Sequence, residues 1–168
     1  MKNKQLIWVV VAAQALFLLG WAGWHEHVRA TAPTVLLKTR PIDPRDILRG
    51  DYMILNYEIS RHAAPIGWAG DETRAVYVMF KLEDGHGEID EVQLHEPAAS
   101  DRRLYAQAEA AQDSRARGAL QLTYGIEQFF VPEGKGTPRF KTLEVEAAVS
   151  PAHRLYLKRV LLDGKPYP

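Results

Sequence analysis

Cysteine is absent from the chain. That excludes disulfide frameworks, thiolate metal sites and cysteine nucleophiles. Serine is scarce, with only Ser60, Ser100, Ser114 and Ser150. Net charge is missing too, because 21 basic residues balance 21 acidic ones. Residues 1–24 hold Lys2 and Lys4 and no acid, so the remainder carries nineteen basic residues against twenty-one acidic ones. A slightly acidic remainder has no basic footprint for nucleic acid. Metal-ligand spacings are lacking as well. His25-Glu26-His27 would send its two imidazoles to different faces of a helix. His86 and His95 flank a β-prone run with Glu88, Asp90 and Glu91 nearby, and neither group matches a zinc pattern such as His-Glu-x-x-His. No metal, cofactor or nucleic acid is expected. Repeats and long low-complexity tracts are also absent.

One long apolar run stands out. Residues 6–24 read LIWVVVAAQALFLLGWAGW, with Gln14 alone strongly polar. At about 1.5 Å rise per residue such a helix is roughly 28 Å long, close to the hydrocarbon thickness of a bilayer. Trp8 lies near one end and Trp21 and Trp24 at the other, where amphipathic rings sit at membrane–water interfaces. Lys2 and Lys4 lie outside it, and positive flanks stay cytoplasmic. The expectation is a single-pass anchor in an inner (plasma) membrane. It divides into a cytoplasmic stretch (1–5), a membrane helix (6–24), a polar juxtamembrane linker (25–33) and an extracytoplasmic domain (34–168). A cleaved signal is the rival. Its best small-x-small site, Ala30-Thr31-Ala32, is followed by Pro33, and the apolar run exceeds the usual signal core.

Beyond the linker the pattern turns to strands. Residues 34–39, 51–59, 74–82, 88–95, 119–131, 144–149 and 154–162 are β-prone. Val76, Val78 and Phe80 alternate with Tyr77 and Met79. Gly85-His86-Gly87 joins two of these runs as a hairpin, Ser150-Pro151-Ala152-His153 joins another pair, and Asp163-Gly164 ends the last. Residues 101–111 are rich in helix formers, with Asp101 able to cap, and read as a short helix or a loop. Residues 138–144 read as a single helical turn. The fold class expected is α+β, mainly antiparallel β, with one N-terminal membrane helix ahead of a compact β-rich domain.

Two segments could carry function. In the first, Asp43, Arg45, Asp46, Arg49 and Asp51 crowd a loop that enters a hydrophobic strand through Gly50, Asp51 and Tyr52. In the second, the aromatic run from Tyr124 to Phe130 leads into Pro132-Glu133-Gly134-Lys135-Gly136, whose glycines could bring Glu133 close to a partner. It lacks the glycine spacing and Lys-Ser/Thr of a phosphate-binding loop. A structural reading, with turns fixed by local charge pairs, competes with a pocket reading in both. The pocket reading gathers Arg49, Asp51, Tyr52, Tyr57, Tyr124 and Glu133 as ligand- or partner-binding residues.

Gly50-Asp51-Tyr52-x-x-Leu55-x-Tyr57, with the later Tyr-Gly-Ile-Glu…Phe-Phe-Val-Pro-Glu-Gly run, resembles the GDYXXLXY family of bacterial membrane-anchored proteins over most of residues 34–168. The Asp-Pro-Arg-Asp stretch and the terminal Leu-Asp-Gly-Lys are similar too. The resemblance implies location, domain extent and companionship with a polytopic membrane protein; it implies no reaction. The functional expectation is a binding or accessory domain for an integral membrane protein or an envelope ligand. The alternative is an envelope hydrolase using Asp51 and Glu133 as a carboxylate pair, one of them raised in pKa by an apolar shell. A signal-peptidase-like serine protease is excluded, because Pro41 and Ile42 stand where a serine–methionine pair would be needed. No catalytic residue is assigned.

Overall fold

A computed structural model describes residues 2–40, 48–49, 52–69, 72–98, 100–116, 118–131 and 140–167; the side chains of Arg49 and Tyr52 lie outside that description. The chain divides into two units, residues 1–32 and residues 33–168.

The first unit is the helix α1 (Lys2–Thr31). Its stretch Gln5–Val28 has a mean hydropathy of 2.0 and no buried residue, and it is long and apolar enough to cross a membrane. The segment expected as a linker is therefore largely helical. Nothing between His25 and Thr31 breaks a helix, since the next proline is Pro33 and the residue before a proline is pushed out of helical conformation. Thr31 closes the last turn by donating its hydroxyl to His27 O at 2.9 Å.

The regular elements described in the second unit are strands apart from one short turn of helix. These are β1 (Thr34–Lys38), β2 (Leu48–Arg49), β3 (Tyr52–Ile54), β4 (Arg61–Ala63), β5 (Arg74–Glu83), β6 (His86–Gln93), β7 (Tyr105–Gln112), β8 (Ala119–Thr123), β9 (Gln128–Phe130), β10 (Leu143–Val149), β11 (Leu155–Leu162) and β12 (Lys165–Tyr167), with a 3-10 turn at Glu58–Ser60. Among the described residues nine strands form one sheet in the order β12-β11-β10-β1-β6-β5-β7-β8-β4, and three form a second, β2-β3-β9. Neighbours are antiparallel except β1 and β6, which pair in parallel at Leu36 and His86 alone. The α+β class, mainly antiparallel, holds.

Alternation builds the core. Val35 and Leu37 of β1, Val76 and Val78 of β5, Ala106, Ala108 and Ala110 of β7, and Leu120 and Leu122 of β8 are all buried, on the period of two that a pleated strand imposes. Two bulges interrupt the ladders. At the first, Phe80 pairs with Ile89 but Met79 with Glu91, so Asp90 is the extra residue. This explains why the apolar positions of β6 and the residue that follows it fall at 89, 92 and 94 rather than on strict alternation. The second shifts register between Glu146 and Ala147. There Lys158 Nζ and Arg159 Nε both lie near the Glu146 carboxylate, at 3.4 and 3.6 Å.

Three expectations change. Residues 105–112 are the strand β7, not a helix or loop. The β5–β6 turn is Asp84-Gly85, both with positive φ (50° and 80°), the turn whose twist matches its flanking strands. His86 already belongs to β6. Asp163-Gly164, also at positive φ, does not end the sheet but turns the chain into β12. The helical turn expected at 138–144 lies partly outside the described residues, and from Leu143 the chain is strand.

Candidate functional site

The two segments singled out in the sequence meet. β3 lies antiparallel to β9, with Tyr52 opposite Phe130, Met53 opposite Phe129 and Ile54 opposite Gln128. Arg49 pairs with Tyr52 across the β2–β3 ladder. Past the ladder the pairing continues as single hydrogen bonds, with Leu55 N donating to Glu127 O at 2.8 Å.

A reciprocal lock follows. Tyr57 is fully buried and donates its hydroxyl to Ile126 O at 2.6 Å. Tyr124 is also buried and donates its hydroxyl to Ile59 O at 2.9 Å. Each segment thus sends one phenol into the other's backbone. Glu127 Oε1 accepts from Tyr124 N at 2.6 Å, closing the turn between them. Gly125 sits in that turn at φ +81°, a left-handed conformation that a side chain would strain. Burial, reinforced by the Glu127 charge, pushes both phenols well above their ordinary pKa, so both stay protonated and keep donating.

Of the six residues gathered as a pocket, Tyr57 and Tyr124 thus serve as core hydrogen-bond donors. Tyr124 also touches a shallow recess of about 250 Å³ that includes Gln107, Glu109 and Arg154. Arg49 and Tyr52 are fixed on adjacent strands by their backbones. Asp51 and Glu133 lie outside the described residues, so the carboxylate pair rests on sequence alone.

The lock has a geometric product. Ile59 belongs to the 3-10 turn that launches β4, and Ser60 N donates back to Tyr57 O at 3.1 Å. β4 is fastened from its other side by pairing with β8 and by Arg61 Nε, 3.0 Å from the buried Asp113 carboxylate. Asp113 in turn accepts from Arg115 N at 2.8 Å. So held, β4 faces β6 across a gap. β6 is paired with β5 over its length, but on its other side β1 reaches it only at His86. Beside that contact β1 comes so close that a Cβ on Gly87 would lie 3.2 Å from Val35 Cβ. Beyond it, no strand among the described residues pairs with β6 on that side, or with β4 on the side away from β8.

The gap is an open slot of about 770 Å³ between residues 62–67 and residues 90–95. A smaller cavity of about 280 Å³ adjoins it, lined by Ile59, Gly87 and Ile89 among others, and His62 borders both. Of the residues that line the slot, Val92 is buried and Ile66 is fully exposed. On the rim, the β6 bulge turns Asp90 and Glu91 outward, where Arg103 grips Asp90 at 2.7 Å, Glu91 at 3.4 Å and Asp101 at 2.8 Å. Among the described residues no group of histidines and acids could hold a metal ion.

Sequence reasoning did not find the slot. β4 is three residues long and ends before Pro65, too short to show alternation. The open side of β6 is a matter of which strands stand beside it. The broken spacing at 89, 92 and 94 was the one available hint.

The sequence model for the family described as GDYXXLXY protein matches residues 14–160. The chain belongs to that family. Neither a curated protein nor a solved structure matches it. In this GDYXXLXY protein the naming residues Tyr57 and Leu55 are buried, and both bind the second segment, Tyr57 through its hydroxyl and Leu55 through its backbone N–H.

Proposed function

We propose that the chain is a single-pass membrane-anchored accessory protein. Its N-terminus is cytoplasmic, and its extracytoplasmic domain takes up an extended segment of an integral membrane partner. The observation that carries this reading is the slot between β4 and β6. Among the described residues no strand pairs with the edges of β4 and β6 that line it, and the occupant chemically suited to both edges is a further strand. Backbone hydrogen bonds would supply affinity, and the apolar patches at Val92, Leu94 and Ile66 would select alternate side chains. The helix supports the anchor, and Lys2 and Lys4 support its orientation. A tether raises the local concentration of the domain near a membrane partner, so modest affinity suffices. Arg49, Asp51 and Glu133 remain candidates for an auxiliary contact.

The test places a photo-crosslinking residue at Gln93, in the slot, and separately at Tyr156, on β11, in the full-length protein in native membranes. The expected result is one integral membrane protein captured from Gln93 and not from Tyr156, and lost when Ala63→Trp fills the slot. Capture of the same products from both positions, or no effect of Ala63→Trp, would sink the slot. An Asp51→Ala, Glu133→Ala double variant of verified fold then shows whether the signature loops contribute.

A further inference from the structure

Gln14 is the one strongly polar side chain between Leu6 and Trp24. In the apolar stretch Gln5–Val28 it stands near the middle, about 13 Å of helix from the nearer end at about 1.5 Å per residue. A glutamine side chain cannot reach the interface from there. It is exposed on the helix surface, and its amide has no hydrogen bond among the described residues. A primary amide in hydrocarbon gains strongly from a partner.

The face around Gln14 is ordered. Phe17, Trp21 and His25 follow it at spacings of three, four and four, which keep them on one side of a helix. Their rings form a column, with centroids 6.0 Å apart for Phe17 and Trp21 and 5.1 Å for Trp21 and His25. Ile7 and Val10 continue the stripe in the other direction. Side chains already stacked lose less freedom on meeting a neighbour.

We infer that this stripe is a self-association surface, on which two copies of the chain pair in parallel with Gln14 against Gln14. The commitment to a second copy follows from depth and chemistry. Copies of a single-pass protein insert in one orientation, so their glutamines stand at equal height. A primary amide is both donor and acceptor, so under two-fold symmetry two of them exchange two hydrogen bonds and leave no charge to neutralise. A foreign helix would need its own polar group at that depth. The inference rests on the membrane anchor and goes beyond the slot, which lies in the other unit.

The test exploits the absence of cysteine, since any introduced thiol is unique. Single-cysteine variants of the full-length chain in phosphatidylcholine–phosphatidylglycerol vesicles are oxidised, and disulfide-linked dimers are counted. Val10→Cys, on the stripe, and Leu18→Cys, beside it, should crosslink strongly, and Ala12→Cys and Leu16→Cys, on the far side, weakly. Adding Gln14→Leu should lower dimer yield about three- to tenfold, and Gln14→Asn should restore part of it. Gln14→Leu makes the helix more apolar, so its loss of pairing cannot come from failed insertion. Crosslinking with no helical period, or yields untouched by Gln14→Leu, would overturn the pairing while leaving the anchor. Release of the chain from vesicles by alkaline carbonate would overturn both.

Discussion

At the scale of single residues, the two buried tyrosines determine how the β-rich unit answers alkali. A tyrosine in an unfolded chain ionises near pH 10, and burial holds Tyr57 and Tyr124 above that in the fold. Below pH 10 both states keep the proton and stability is unaffected. Above it the unfolded chain loses protons that the folded chain retains, so stability falls by about 1.4 kcal/mol per pH unit for each tyrosine. Denaturant melts of the detergent-solubilised protein from about pH 8 to about pH 11 should show this descent. A Tyr57→Phe, Tyr124→Phe variant should start lower, by about 1–3 kcal/mol per lost bond, and descend less steeply. An equal alkaline slope in the variant would refute the assignment. Gly125 offers a second probe. Nothing lies within 4 Å of a Cβ placed there, so Gly125→Ala meets no clash, yet its φ of +81° should cost about 1–2 kcal/mol in the same melts. The tyrosines also show why the site was less legible than the fold. Aromatic residues beside charged loops look alike whether they line a pocket or close a core. What separates them here is a carbonyl 65 or 69 residues away, which no local pattern reveals.

At the scale of elements, legibility followed length and neighbours. The N-terminal helix announces itself through eighteen apolar positions in a run of nineteen, and the β5–β6 and β10–β11 hairpins through long alternating runs and turn residues. β7 was hidden because its core face is alanine. Ala106, Ala108 and Ala110 are buried while Gln107 and Glu109 face outward, a two-residue alternation that helix propensity masked. The propensity loses because β7 is hydrogen-bonded on both sides, to β5 and to β8, and strand preference is set by such packing. Alanine is also a packing requirement there. Ala108→Leu should destabilise the fold by about 1–3 kcal/mol through overpacking, where on an exposed helix it would be nearly silent. A thermal melt distinguishes the two. β2, β4 and β12 span two or three residues each, and such elements exist through their partners rather than through any pattern of their own.

At the scale of the whole molecule, the sheet treats its margins unequally. The outer strand β12 carries Lys165 and Pro166, residues that discourage further pairing, whereas the slot side of β6 has no proline. Hydrogen exchange on the full chain should therefore split β6 by direction, with amides bonded to β5 protected and those facing the slot exchanging much faster. Uniform protection along β6 would show that the slot edge is already satisfied. One consequence concerns force. Only Ala32 and Pro33 separate α1 from β1, and β1 runs between β10 and β6 in the interior of the sheet, aligned with β10 over five residue pairs. Tension applied to the N-terminal end of β1 along its strand direction loads that ladder in shear, so its bonds must fail together rather than unzip singly. A pull along β1 would thus be resisted in the interior of the sheet.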